Sequence, residues 1–317
     1  LLCADDAGSF FCADNSFLAR YAENRLTAAD LEFLKRNGHA FRERNDLSFV
    51  SFAYRWSLRH ASRREISYIV LVPTLRCNLS CSYCQVARAD ERATGYDWSE
   101  ETLAGVLTFL NDLNTTSIKI EFQGGEPLLR LDLLKAVRDH CRRRFATAQF
   151  VVCTNLQHLS DAHWEFLDAE DTWVSTSLDG DYATHQQQRT RDTAATNEFF
   201  YNLEYALMRL SPSRVSALPT INIDAPPLPE TLIDAYVRYG LRSIYLRPIN
   251  FQGFARKTFP CKGRTAAWSA YHSSFIDCLV SRNFQSQDIV EEFYFTHCLR
   301  RIFQSGMDGH VDLRNPN

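Results

Sequence analysis

The sequence predicts an α/β protein: a core that winds strand, then helix, through six repeats, preceded by a small α+β module and followed by a short extension. Three observations carry this. Between Ile66 and Leu246, short apolar runs alternate with segments whose apolar residues recur at helical spacing. The first run, residues 66–72, is almost continuously apolar, as in a parallel strand buried on both faces. Strand-then-helix units in succession require right-handed crossovers, which place the strands in one parallel sheet. The chain divides accordingly into residues 1–64, an accessory module, residues 65–250, the repeating core, and residues 251–317, an extension.

In the first module, Leu1-Leu-Cys3 and Ser9-Phe-Phe-Cys12 flank Asp5-Asp-Ala-Gly8 and read as a hairpin with a glycine-bearing turn. Thr27 caps a helix through Leu31, Phe33 and Leu34 that stops at Asn37-Gly38. Arg55, Arg59, Arg63 and Arg64 form a basic cluster, read as a solvated face. The core then opens with strand 66–72. Ser99 caps the next helix, with Glu100 and Glu101 in the first turn, where the dipole favours them. Ile118, Ile120 and Phe122 alternate as the second strand, and 129–141 is helical. Residues 150–153 form the third strand, followed by a helix opening at Ser160 or Asp161; 173–178 form the fourth, followed by a helix over 198–209. Residues 217–223 are the fifth strand. Pro229 then opens a helix with the stripe Leu232, Ile233, Tyr236 and Val237, which Gly240 ends before the sixth strand at 244–246.

With 317 residues the chain has length enough for one large α/β domain and a smaller one. A formal charge of −3 gives no support to general nucleic-acid binding. No run of about 18 apolar residues occurs, and no basic-then-apolar leader is present, so neither a membrane span nor a secretion signal is read. Ten cysteines without the dense spacing of a small secreted scaffold point to a reducing compartment, with cytoplasm the default. The chain opens on Leu1 rather than methionine and ends on Asn315-Pro-Asn317 without an obvious closing element, which reads as a piece of a longer protein.

Chemistry concentrates in Thr74-Leu-Arg-Cys77-Asn-Leu-Ser-Cys81-Ser-Tyr-Cys84, on a loop just after the first strand. Free cysteines often pack as small hydrophobes, yet Asn78, Ser80 and Ser82 make this loop unlike a core segment. Three thiolates are one short of a closed zinc site, and the other seven cysteines form no further C-x2-C pair. A loop of three cysteines therefore suggests an iron–sulfur cluster whose last iron stays open to another ligand; a non-catalytic zinc-binding module is the alternative.

The pattern C-x3-C-x2-C, with aromatic Tyr83 before the last cysteine, resembles the signature loop of the radical S-adenosylmethionine enzymes. The resemblance implies that Cys77, Cys81 and Cys84 hold a [4Fe-4S] cluster and that S-adenosyl-L-methionine chelates the fourth iron, yielding a 5′-deoxyadenosyl radical that takes hydrogen from a substrate. It also implies that the six units form a partial (β/α)6 TIM-like barrel, with its chemistry at the carboxyl ends of the strands. There, Gln123-Gly124-Gly125-Glu126-Pro127 resembles the family motif that binds the methionine amino group. Thr154 and Asn155 follow strand three beside the cofactor, while Cys153 is read as strand packing. The segment Ser177-Leu-Asp179-Gly180, with His185 and Arg189, resembles the peptide- and sulfatase-modifying branch: Ser177 lies near the ribose, and Arg189 offers a bidentate fork to the cofactor carboxylate. Gln186 and Asp181 depart from that branch. Asp179 is the candidate catalytic base, a turn-capping role being the other reading. Leu246 would contact the adenine through its backbone, and Arg247 could reach the cofactor or a substrate carboxylate.

Beyond Asn250 the resemblance thins. Cys298 and Gly309 begin the spacing of an auxiliary cluster domain, but Arg314 stands where its next cysteine belongs. The stretch Pro73 to Val86, together with Phe122-Gln-Gly-Gly-Glu-Pro-Leu-Leu129 and Gly309-His-Val-Asp-Leu-Arg-Asn-Pro316, is most similar to the radical enzymes of the His-Xaa-Ser peptide maturation system. That resemblance implies a ribosomally made precursor peptide as substrate and a crosslink or similar modification as product. It also implies an electron donor such as flavodoxin or ferredoxin, and a second maturation protein as a candidate partner. The first module is then a peptide-docking element or a cap over the open side of the barrel. A radical maturase of a protein such as a sulfatase is the alternative within the same chemistry.

Overall fold

The computed structural model describes residues 1–5, 7–60, 65–259 and 264–303. Arg63, Arg64, Cys261 and the pattern at 309–314 lie outside them. Contacts group the chain into two compact units, Leu1–Arg64 with Tyr294–Asn317, and Glu65–Phe293.

In the first unit, β1 (Leu2–Ala4) and β2 (Phe10–Cys12) pair antiparallel, Cys3 opposite Phe11. The turn holds because Asp5 Oδ1 accepts from the N–H groups of Ala7 and Ser9, and Gly8 takes φ 89°, a region open to glycine at little cost. Three helices follow: α1 (Asn15–Ala22), capped by Asp14; α2 (Ala28–Arg36), opened by a reciprocal Thr27–Asp30 capping box; and α3 (Leu47–His60).

The second unit is the barrel. Its strands and helices alternate as β3 (Tyr68–Leu71), the short pair β4 (Arg76–Cys77) and β5 (Ala89–Asp90), α4 (Glu100–Asp112), β6 (Ser117–Phe122), α5 (Leu131–Arg144), β7 (Thr147–Cys153), α6 (Asp161–Leu167), β8 (Thr172–Thr176), α7 (Tyr182–His185) and α8 (Thr193–Leu210). Then come β9 (Val215–Ala217), β10 (Thr220–Ile221), α9 (Pro229–Arg238), β11 (Ser243–Ile244), β12 (Arg247–Pro248), α10 (Ala255–Thr258), α11 (Thr265–Gln285) and β13 (Glu291–Glu292). The helix α12 (Phe293–Phe303) closes the described chain. One parallel sheet runs in the order β3-β6-β7-β8-β9. Strand five breaks at Leu218-Pro219 into β9 and β10, and strand six breaks at Tyr245-Leu246 into β11 and β12. β10 pairs parallel with β12, and β11 pairs parallel with β13. The fold is a partial TIM-like barrel of parallel strands with helical crossovers. Its seventh strand position, Glu291–Glu292, falls in the stretch read from sequence as an extension.

Strand parity explains the layering. Ile118, Ile120 and Phe122 of β6 and Phe150 and Val152 of β7 are buried outward against the helices, where they meet Leu110, Leu134 and Val137, all at 0–2% exposure. Each such side chain stabilises the fold by roughly 1.5–3 kcal/mol. The opposite parity faces the barrel interior. Here the expectation for strand one is corrected: Ile66, Tyr68, Val70 and Val72 are exposed, and only Ile69 and Leu71 pack against the core. β3 is an edge strand of an incomplete barrel, so its inner face meets an open lumen rather than a second buried layer.

Local signals moved some boundaries. α8 starts five residues before the expected 198, because Asp192 caps it through Ala195 N at 2.8 Å and Thr196 is buried. Ahead of α5, residues Pro127–Arg130 form a 3-10 turn under a Glu126 cap.

Candidate functional site

At the carboxyl ends of β6, β7 and β8 the barrel opens into a cavity of about 670 Å3. Cys77, Cys81 and Cys84 all line it and all are free thiols. Their loop is clamped at both ends by backbone. At its start, Gly125 N donates to Thr74 O at 3.0 Å and Glu126 N to Arg76 O at 2.8 Å. A Cβ on Gly124 would sit 2.3 Å from Thr74 O, and one on Gly125 would sit 2.1 Å from Arg76 O. The two glycines are therefore required by contact with the base of the cysteine loop, whatever ligand they also meet. At its end, Ala255 N donates to Cys84 O at 3.0 Å, and a Cβ on Gly253, at φ 53°, would sit 2.5 Å from the Gln85 carbonyl. Asp97 adds a polar brace: it accepts from Thr74 Oγ1 and Arg76 Nε and pairs with Arg130.

Cys77 Sγ accepts from Leu79 N at 3.5 Å and from Asn155 Nδ2 at 3.8 Å. Burial pushes the Cys77 thiol up to about 12 and raises that of Cys84. Thiolates at Cys77 and Cys84 are therefore disfavoured in the bare loop and would be stabilised by the positive charge of bound iron. Among the described residues no three His, Cys, Asp or Glu side chains are grouped closely enough to hold one metal ion. A cubane, whose three thiolates each take a different iron, requires no such grouping. The chain's donor set and its open neighbouring space fit that cluster.

Glu126 is 2% exposed, with Oε2 accepting from Asn155 N at 2.8 Å and Oε1 from Leu128 N at 3.2 Å. Desolvation pushes its carboxyl up to about 7 despite these donors. Asn155 also bonds Asn78 Oδ1 at 2.7 Å, so strand three, Glu126 and the cysteine loop form one hydrogen-bonded block.

A second block holds the middle of the loop. Ser82 donates to Gln188 O through both N and Oγ, at 2.9 and 3.1 Å. Tyr83, nearly buried, donates from its hydroxyl to Asp179 Oδ2 at 2.5 Å and accepts there from Arg189 Nη1 at 2.8 Å. Gln186–Thr190 is a π-helical turn, a geometry frequent at functional sites, and it turns Arg189 back toward the loop. His185 is buried, stacked 3.9 Å from Phe199, and held neutral by desolvation; it is a packing residue.

Of the residues singled out from sequence, Tyr83, Gly124, Gly125, Glu126, Thr154, Asn155, Ser177 and Arg189 line the same cavity as the three cysteines. Two do not behave as expected. Asp179 is 0% exposed, its oxygens bonded to Tyr83 and to Thr220 N at 3.0 Å, so it braces Tyr83 instead of facing a substrate. Leu246 sits in the core, and its N–H is taken by Glu292 at 3.1 Å; Arg247, Pro248 and Ile249 reach the cavity in its place. Cys153, read as packing, lines the cavity, with Sγ 3.3 Å from Glu121 Oε1. Its parity opposite Phe150 and Val152 was the signal. Glu121 carried the same signal, standing at the inner parity between Ile120 and Phe122; Asp97 and Gly253 had no signal in the sequence that sets them apart from ordinary loop residues.

Residues 71–226 match the family model described as the Radical SAM superfamily. They form a radical SAM domain. The cofactors of this family are a [4Fe-4S] cluster and S-adenosylmethionine. An uncharacterised protein of Methanocaldococcus jannaschii is 30% identical over 117 residues, 36% of this chain and 39% of that protein. A probable GTP 3′,8-cyclase of Methanopyrus kandleri is 28% identical over 180 residues, 56% of each. The matched segments thus span roughly two-fifths to just over half of these curated relatives. Among solved structures, anSMEcpe with bound AdoMet superposes with a TM-score of 0.61 at 17% identity, covering 75% of this chain and 66% of that one. SuiB of Streptococcus suis, bound to the precursor peptide SuiA, gives 0.51 at 13% identity, covering 89% and 67%. At those identities the likeness speaks to the fold. No helix among the described residues is long and apolar enough to cross a membrane.

Proposed function

We propose that this radical SAM enzyme modifies a ribosomally made precursor peptide, and that Cys77, Cys81 and Cys84 hold its cluster. The observation that carries the cofactor assignment is the convergence of the three thiols, the Gly124–Gly125 turn and Arg189 on one cavity. When bound, the cluster and S-adenosylmethionine supply the radical that removes a hydrogen atom from the substrate. The chain's own residues do the positioning. Gly124 and Gly125 bring backbone to the edge of the site, and Asn155 holds Asn78 and Cys77. Arg189, steadied by Tyr83, offers its remaining N–H groups to a carboxylate. Thr154 and Ser177 give hydroxyls to a ribose. Burial around Tyr83, Ile249 and Ala255 limits water on that side.

The peptide substrate is supported by the resemblance to the His-Xaa-Ser maturases, and SuiB, of the same fold, was crystallised with its precursor peptide. In this reading residues 1–64 help to seat the precursor, a flavodoxin or ferredoxin supplies the electron, a second maturation protein takes part, and the reaction runs in the cytoplasm. A nucleotide substrate is the second reading, favoured by the GTP 3′,8-cyclase relatives. Anaerobic turnover with dithionite and S-adenosylmethionine separates the two. Deuterium passing into 5′-deoxyadenosine from a labelled precursor peptide supports the first; transfer from labelled GTP alone ends it.

A further inference from the structure

We propose that Arg247 is the anion-reading residue of a substrate subsite, and that the group it takes is a carboxylate carried by the peptide. This rests on the peptide reading above. The inner-face residues Glu121, Gln123, Cys153, Ser175 and Arg247 give the cavity a polar wall, drawn from four strand positions, that the cofactor assignment does not use. Three arginines line the cavity: Arg88, Arg189 and Arg247. Arg88 stacks over Phe254 at 4.9 Å, and Arg189 donates to Tyr83. The Arg247 side chain makes no hydrogen bond or ion pair among the described residues, its backbone being paired in β12, and its Nε is buried without an acceptor.

The carboxylates around it are already engaged. Glu121 accepts from the Tyr68 hydroxyl, the Gln123 amide and Cys153 Sγ. Asp179 is held by Tyr83 and Thr220 N. Glu126 is held by Asn155 N and Leu128 N. A partly buried guanidinium with no internal acceptor keeps its planar fork for an incoming one, and that fork matches carboxylate and phosphate oxygens. An aspartate or glutamate side chain, or a terminal carboxylate, is the peptide source; a nucleotide phosphate is the other source of the same chemistry.

The test uses the cluster-loaded full chain with S-adenosylmethionine and no reductant. Equilibrium dialysis and saturation-transfer NMR follow three probes: an amidated, acetylated Gly-Gly-Asp-Gly-Gly peptide, its Asn counterpart, and tripolyphosphate. The proposal expects the Asp peptide to bind about tenfold or more tighter than the Asn peptide. That preference should vanish in Arg247→Gln and return in part in Arg247→Lys, which restores charge without the fork. Iron content and circular dichroism are read on both variants, so a folding defect in one is separated from the other. Equal binding of the two peptides overturns the carboxylate assignment while leaving a peptide substrate standing. So does a tenfold loss of S-adenosylmethionine affinity in Arg247→Gln, which moves Arg247 to the cofactor. Saturable binding of tripolyphosphate with none of either peptide overturns both the carboxylate and the peptide reading.

Discussion

Replacing Tyr83 by Phe removes one oxygen that touches the buried carboxylate of Asp179 and the part-buried guanidinium of Arg189, and its cost follows from their geometry. The hydroxyl donates to Asp179 at 2.5 Å and accepts from Arg189 at 2.8 Å. A hydrogen bond to a charged group contributes about 1.5–3 kcal/mol, so losing both sets an upper bound near 3–6 kcal/mol. Asp179 keeps the N–H of Thr220, and its carboxylate still attracts Arg189, so part of the loss is offset. A net destabilisation of about 2–3 kcal/mol is expected for Tyr83→Phe, read as a lower urea midpoint of the cluster-free chain with an unchanged slope. The same substitution releases Arg189 from its only side-chain hydrogen-bond partner among the described residues, and the affinity for S-adenosylmethionine should fall about tenfold, or 1.4 kcal/mol. A double-mutant cycle with Asp179→Asn isolates the bridge, with a coupling of at least about 1 kcal/mol expected. Additive effects of the two substitutions, or an unchanged cofactor affinity in Tyr83→Phe, would refute the view that Asp179 acts through Tyr83.

Further outcomes follow from other contacts. Gly125→Ala drives a Cβ against the Arg76 carbonyl, and shifting that backbone should cost about 1–3 kcal/mol and lower iron uptake by the cysteine loop; normal iron content in this variant would contradict the clamp. Gly253→Ala combines φ 53° with a 2.5 Å approach to the Gln85 backbone, and its signature should be faster loss of bound iron to a chelator than in the parent chain. For Glu126, the folded carboxyl titrates near 7 and the unfolded one near its ordinary 4.5, so the folded state binds more protons between those values. Its contribution is therefore most favourable below about pH 4.5 and is lost as pH rises to 7, by roughly 3 kcal/mol at most. Urea unfolding of cluster-free wild type against Glu126→Gln should show a stability difference that shifts against wild type over that window; a difference independent of pH would remove the shift.

How much of this was legible in the sequence depended on how local each signal was. The cysteine loop, the Gly-Gly-Glu-Pro turn and Arg189 stand in short fixed spacings, and the alternation of apolar runs with capped helices exposed the parallel sheet. What escaped had long-range causes. The apolar run at 66–72 looks buried on both faces, and only the missing closure of the barrel exposes Tyr68 and Val70. Glu291 and Glu292 have no strand-like composition, and their strand exists because β11 offers an unpaired edge. Asp179 looks like a substrate-facing acid until Tyr83, far off in sequence, is seen to occupy it. The π-turn that aims Arg189 leaves no mark in the pattern Gln186-Gln-Gln-Arg-Thr190.

Iron and sulfide content after anaerobic reconstitution, measured beside Cys81→Ala, bears most directly on the assignment of the three thiols. About four irons and four sulfides per radical SAM domain, with brown absorbance that disappears in Cys81→Ala while the helical signal is kept, is the predicted result. A colourless protein retaining zinc, or full cluster absorbance in Cys81→Ala, would contradict it.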